Sequence, residues 1–93
     1  MYVPKPIDTT DIVLSDDIQK LTELIAKNTH ERWALQKIND GWTYGEVFSY
    51  ENKTHPCILE YESLSEGDKD YDRITSLETI KTLLKLGYKI TKD

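Results

Sequence analysis

The stretch between Ser15 and Gly41 constrains the fold most, because it contains neither proline nor glycine and forms a large part of a 93-residue chain. Ser15 supplies a hydroxyl that can cap free backbone amides. Asp16 and Asp17 then place carboxylates at the positive end of the helix dipole. Gly41 is a typical stop signal. The sequence therefore predicts one long helix between these residues.

At about 100° per residue, the apolar side chains of this helix gather on one side. They are Ile18, Leu21, Leu24, Ile25, Leu35 and Ile38. Asn28 falls within this face, so we expect it to be at least partly buried and hydrogen-bonded to backbone of the N-terminal arm or the middle loops. Trp33 points to the other side, with His30 and Lys37 close to it. Either the C-terminal helix and the middle loops cover that side, or it forms a ligand or partner surface.

An extended arm is predicted for residues 1–14. Pro4 and Pro6 fix the backbone φ angle, lack amide donors and disfavour helical geometry in the residues before them. We expect Val3 and Ile7 to dock the arm against the core.

The middle of the chain, residues 42–61, concentrates aromatic residues and has no helical period. A short strand pair is expected here, with Thr43–Tyr44 against Cys57–Leu59. After it, Ser65 followed by Asp68 resembles a capping box and predicts a short helical turn.

A second main helix is predicted from the better capping box of Thr75 and Glu78, and Gly87 is its expected end. The fold class is therefore a mostly helical α+β domain. It has two main helices, a short helical turn, an extended N-terminal arm and a short strand pair in the middle loops. One domain over residues 1–93 is expected, because a chain of this length cannot support two cores.

Composition narrows the classes of partner. Lys and Arg number 12 against 17 Asp and Glu, which gives a net charge of −5. The field of such a chain repels phosphate backbones and anionic membranes, so neither a nucleic-acid polymer nor a membrane is an expected partner. No segment has the ~18 consecutive apolar residues of a membrane span, and the N-terminus lacks the apolar core of a signal peptide. A cytoplasmic location is expected.

Three aspartates, Asp68, Asp70 and Asp72, have the spacing of the first ligands in an EF-hand loop. Arg73 occupies the position where that loop needs glycine, and the bidentate glutamate is out of place. The pattern favours a solvated acidic helix start instead of a calcium site.

Nucleophilic or metal chemistry has little support elsewhere. His55 and Cys57 flank a proline and His30 lies far away in sequence, which leaves too few ligands for a structural zinc site. No phosphate-binding glycine loop or nucleophile elbow is present. The sequence predicts a protein that is not an enzyme, with no catalytic residues, no metal ligands and no cofactor.

Six short motifs in order along the chain resemble one known family, the ryanodine receptor repeat or RyR domain. They are YVPKPIDT (residues 2–9), HERWA (30–34), GWTYG (41–45), NKTHPC (52–57), ETIK (78–81) and LGY (86–88). The resemblance spans about residues 2–90 and is to the single-copy prokaryotic kind, since the receptors carry the repeat in tandem pairs.

This resemblance implies a mostly helical α+β domain with a non-catalytic role in interaction or regulation. In paired receptor repeats a cleft can accept an adenine nucleotide or a drug-like aromatic compound, and the tryptophan matching Trp33 forms one wall. The phosphorylated loop of the receptor repeats has no counterpart in this chain.

Together these observations predict a cytoplasmic binding module that holds an adenine nucleotide or another flat ligand at the Trp33 face. His30 and Lys37 lie about one turn to either side of Trp33 and are candidate donors to a phosphate. The alternative is a purely structural protein-interaction domain without a small-molecule ligand. A two-fold homodimer in which each Trp33 faces a shared cleft is a further expectation.

Overall fold

The long helix predicted near the N-terminus is confirmed by the computed structural model, which describes residues 1–93. Helix α1 spans Asp16–Asn39. The Ser15 hydroxyl accepts a hydrogen bond from the amide of Ile18 at 3.3 Å, as an N-cap does. Gly41 follows the helix with a φ angle of 92°, a left-handed conformation that glycine adopts without strain.

A second helix, α2, spans Glu66–Lys85 and packs along α1. The Ser65 hydroxyl accepts a hydrogen bond from the amide of Asp68 at 3.1 Å. After its last turn, Gly87 has a φ angle of 96°, so the predicted end of the helix is confirmed.

The predicted division between a turn at Ser65 and a main helix beginning at Thr75 is wrong. No residue between Asp68 and Thr75 breaks a helix, and the glycine in the first turn is tolerated there. The Thr75 hydroxyl donates to the carbonyl of Tyr71 at 2.9 Å within the helix instead of capping a new one. A short 3-10 turn does occur, at Tyr61–Ser63.

The strand pair consists of β1, Thr43–Tyr44, and β2, Thr54–His55, and it is parallel. The prediction that Cys57–Leu59 pairs with β1 is wrong. Pro56 has no amide hydrogen, and the Cys57 amide donates to His55 Nδ1 at 3.0 Å, so this segment has no free donors for a ladder at its start.

The buried face of α1 differs from the predicted one. Its buried residues are Thr22, Ala26 and His30. Tyr61 and Leu64, from the segment before α2, pack on Ala26 and form the small hydrophobic core, with Cys57 beside them. Polar and small side chains therefore face the interior of the helix pair.

Half of the predicted apolar face of α1 is in solvent, whereas Ile18, Leu21 and Ile25 are partly buried. Leu24, Leu35 and Ile38 are each at least half exposed. Asn28 is exposed as well, so its expected burial is wrong. Trp33, expected to point away from the core, is half-buried on the side that faces the rest of the molecule.

The N-terminal arm runs along both helices without regular structure. Val3 and Ile7, the expected anchors, are exposed. The anchors are instead Thr9 and Leu14, both buried. Asp11 adds an ion pair with the side chain of Lys85 at 3.0 Å, near the end of α2.

Replacement of Thr9 by valine should lower stability, because the Thr9 hydroxyl donates to the Glu78 carboxylate at 2.7 Å. The loss should be about 1 kcal/mol, measured as a lower midpoint in urea unfolding. Thr10→Val is the matched control, since the Thr10 hydroxyl bonds only with Asp8 in the exposed part of the arm. Equal effects of the two substitutions would show that the arm is not held by Thr9.

Gly45→Ala should destabilise the strand pair. A Cβ atom at Gly45 would lie 2.6 Å from Thr54 Cβ, closer than two carbon atoms can approach. The expected cost is about 1–3 kcal/mol. Gly67→Ala is the control, because the nearest atom to its added Cβ is 4.0 Å away and alanine favours the helix. That variant should melt at the wild-type temperature or above it.

Candidate functional site

His30 occupies the centre of the buried face of α1, with only 4% of its surface exposed. Its Nε2 lies 2.7 Å from the carbonyl oxygen of Leu59. Because a carbonyl oxygen only accepts, Nε2 carries the proton and donates it. The other ring nitrogen, Nδ1, faces the carboxylate of Asp72 at 3.9 Å. His30 thus fastens the middle segment to α1 and is enclosed by both helices.

Trp33 lies one turn further along α1 and is held between two histidines. The His30 ring stacks near its indole, with centroids 5.6 Å apart and planes at 29°. The His55 ring approaches edge-on at a centroid distance of 4.9 Å. These contacts fix the indole and leave the residue partly buried beside a surface cleft.

The cleft beside Trp33 has a volume of about 170 Å³. Its lining comes from α1, the middle segment and the first half of α2. The lining residues are His30, Trp33, His55, Cys57, Leu64, Asp68, Tyr71 and Asp72. Aromatic rings and the carboxylates of α2 therefore make up most of the lining.

The cleft has an acidic lining. Burial raises the pKa of Asp72, partly opposed by His30. Burial and the neighbouring Asp68 also raise the pKa of the Cys57 thiol. The Cys57 Sγ lies 3.7 Å from the Asp68 carboxylate, so the thiol stays protonated and is a poor nucleophile.

His55 contributes a neutral ring to the cleft. Burial, and then the positive charge of Lys37, lower its pKa. Its Nδ1 accepts the amide hydrogen of Cys57, so the ring proton resides on Nε2. His55 therefore offers one hydrogen-bond donor without a charge.

Lys37, the third residue predicted for the site, lies beside a neighbouring aromatic cluster. Its Nζ sits 4.7 Å from the centroid of the Trp42 ring, a cation–π contact. Phe48 and Tyr50 pack against the same Trp42 ring. The structure thus brings His30 and Trp33 together in one cleft and places Lys37 outside its lining.

Sequence reasoning missed Tyr71 as a member of the cleft and weighed Asp68, Asp72 and His55 only as metal or catalytic residues. A helix starting at Ser65 would have placed Asp68 and Asp72 one turn apart on the same face. Nothing local in the sequence indicates that His55 meets Trp33.

A network of ion pairs ties α1 to α2. Arg73 on α2 contacts Glu23 on α1 at 3.0 Å and Glu66 at 2.7 Å. The guanidinium lowers the pKa of Glu66. The Tyr61 hydroxyl donates to Glu23 at 3.0 Å, and burial raises the pKa of that hydroxyl. Because Glu23 and Glu66 already pair with Arg73, this arginine stabilises the contact between the two helices.

The helix pair, the two-residue parallel strands and the tryptophan cleft define a small α+β module. The family model described as "RyR domain" matches residues 2–92, nearly the whole chain. The chain therefore belongs to the RyR domain family, as its motifs indicated. Neither helix combines the length and the apolar character that crossing a membrane requires.

Asp72→Asn should raise the melting temperature at neutral pH. Because burial raises the pKa of Asp72 above 3.8, its ionised form is disfavoured in the folded state. This penalty is present above the raised pKa and absent below 3.8, so the advantage of the variant should shrink as the pH falls towards that value. Melting curves across this pH range measure the effect.

Asp70→Asn is the control for that experiment, since the exposed Asp70 forms an ion pair with Arg73 at 3.3 Å. Removal of the Asp70 charge should not raise the melting temperature at neutral pH. A stability advantage of Asp72→Asn that is the same at all pH values would contradict the assignment.

Proposed function

We propose that this RyR domain is a non-catalytic binding module that takes a flat aromatic ring, such as the adenine of a nucleotide, in the Trp33 cleft. The observation that carries the proposal is the position of the Trp33 indole. Two histidine rings hold it in place, and the partly buried residue lines the cleft. A preorganised aromatic wall of this kind favours stacking of a planar ring.

The other groups of the cleft suit the edge of a nitrogen heterocycle. The carboxylates of Asp68 and Asp72 are acceptors for an exocyclic amine, and His55 Nε2 is a donor. Tyr71, 79% exposed, lines the cleft and adds a further aromatic ring to it. This combination of one donor with acidic acceptors supports an amine-bearing ring such as adenine.

The phosphates of a nucleotide would have to lie outside the cleft. Asp68 and Asp72 repel negative charge, and the His30 Nε2 proton is already donated to Leu59. Lys37, on the side of the neighbouring Trp42 cluster, is the cation left for a phosphate that extends outwards. We therefore expect adenosine to bind at least as tightly as ATP.

The state of Cys57 supports a role in binding over a catalytic one. A thiol whose pKa is raised by burial and by a carboxylate is poorly suited to attack a substrate. The proposal includes a cytoplasmic setting, which the single free thiol supports.

A protein partner without any small molecule is the second candidate. The cleft, at about 170 Å³, is smaller than the roughly 300–1,000 Å³ usual for small-molecule sites. A single aromatic or basic side chain of a partner would fill it. The two candidates differ in whether a free base or nucleoside binds.

Fluorescence titration of a Trp42→Phe variant tests the proposal, because Trp33 is then the only indole. Adenosine, AMP and ATP should quench it saturably. At about 100 times the dissociation constant, the ligand should also stabilise the fold by roughly 2.7 kcal/mol in a thermal-shift assay. Trp33→Ala should abolish the thermal shift and keep its helical circular dichroism.

Tyr88→Ala serves as the control, because this exposed tyrosine lies outside the cleft lining. It should bind as the wild type does. Absence of quenching and of thermal shift with all three compounds would contradict a small-molecule role and leave the protein-partner candidate.

A further inference from the structure

On the solvent side of α1, several residues have the spacing of a coiled coil. Most of them do not pack against the rest of the chain. Along the helix, residues separated alternately by three and four positions form one stripe. They are Leu21, Leu24, Asn28, Glu31, Leu35 and Ile38. A helix with this spacing presents a narrow seam to a partner helix at the a and d positions of a heptad repeat.

This stripe is exposed over most of its length. Leu24, Leu35 and Ile38 are 66%, 50% and 54% exposed, and Asn28 and Glu31 are exposed too. The C-terminal segment around Ile90 borders only its beginning. The seam lies about 170° around the helix axis from Trp33, so it is separate from the cleft.

We propose that the stripe on α1 pairs with the same stripe of a second copy, in an antiparallel two-fold dimer. A two-fold axis between residues 29 and 30 sets Leu21 against the partner's Ile38 and Leu24 against the partner's Leu35. The same axis sets Asn28 against the partner's Glu31. All contacts then occur twice, as a two-fold interface requires.

The order of residues along the stripe favours a second copy over an unrelated helix. Aliphatic residues stand at both ends and the polar pair stands in the middle, so the pattern matches itself when reversed. The Asn28 amide can donate to the Glu31 carboxylate of the other chain, and the reverse bond forms by symmetry. A polar residue at one such position fixes register and the number of helices.

The surface area of the chain leaves room for an interface of standard size. The accessible surface is 7394 Å². A compact monomer of 10.8 kDa exposes about 5,500 Å². The excess is more than the roughly 800 Å² per partner that a standard interface buries. A radius of gyration of 16.2 Å, against about 12 Å for a compact chain of this length, agrees with a domain that has surface left to bury.

Trp33 lies on the opposite side of α1 from this seam. The dimer therefore differs from one in which the two tryptophans share a cleft. Both Trp33 clefts stay open on the outside of the pair, and ligand binding and dimerisation can fail independently.

Sedimentation equilibrium tests the dimer. The wild type at high micromolar concentration should have twice the chain mass and dissociate on dilution. Leu24→Glu should be monomeric at every concentration with unchanged helical circular dichroism, because Leu24 is solvent-exposed within one chain. Ile74→Glu is the matched control, since Ile74 is 60% exposed on α2 and lies outside the stripe. It should remain dimeric.

Disulfide trapping tests the direction of the pairing. In a Cys57→Ser background, chains carrying Leu24→Cys and chains carrying Leu35→Cys are mixed under mild oxidation. The antiparallel register predicts that the mixed disulfide forms in preference to either homodimeric one. A monomeric wild type, a dimer that survives Leu24→Glu, or preferred disulfides between identical chains would each overturn the proposal.

Discussion

The hydrogen bond from His30 Nε2 to the carbonyl of Leu59 is the contact on which the rest of the domain depends. It joins the middle of α1 to the segment just before the 3-10 turn, across 29 residues of chain. That segment brings Tyr61 and Leu64 over Ala26 and closes the core. The same imidazole stacks on Trp33 and sets the wall of the cleft. Structure and candidate function thus share one buried side chain.

Polar side chains can lie between the two helices because their hydroxyls form hydrogen bonds within their own helices. Thr22 donates to the carbonyl of Gln19 on α1, and Ser76 donates to the carbonyl of Asp72 on α2. Each then behaves as a small side chain and lets the helices approach closely. This explains why the periodicity of large apolar residues pointed to the wrong face of α1.

Local signals in the sequence were sufficient for both ends of α1, for the end of α2 and for part of the site. Ser15, Gly41 and Gly87 act within one turn of chain, so capping chemistry identified them, whereas Ser65 was predicted to begin only a short turn. His30 and Trp33 are neighbours on a helix and were found together. His55 and Asp72 reach the cleft through long-range packing, which no local pattern encodes. The partner of β1 was missed because it depends on how the loop before Pro56 folds back.

The same lack of local information affects the arm. Thr9 and Asp11 bind Glu78 and Lys85, at separations of 69 and 74 residues. During synthesis the arm emerges before its partners on α2, which follow roughly 4–15 s later at 5–20 residues per second. Until then its anchors have nothing to bind, and α1 has no second helix to cover His30. The domain can therefore reach its native state only after α2 has left the ribosome.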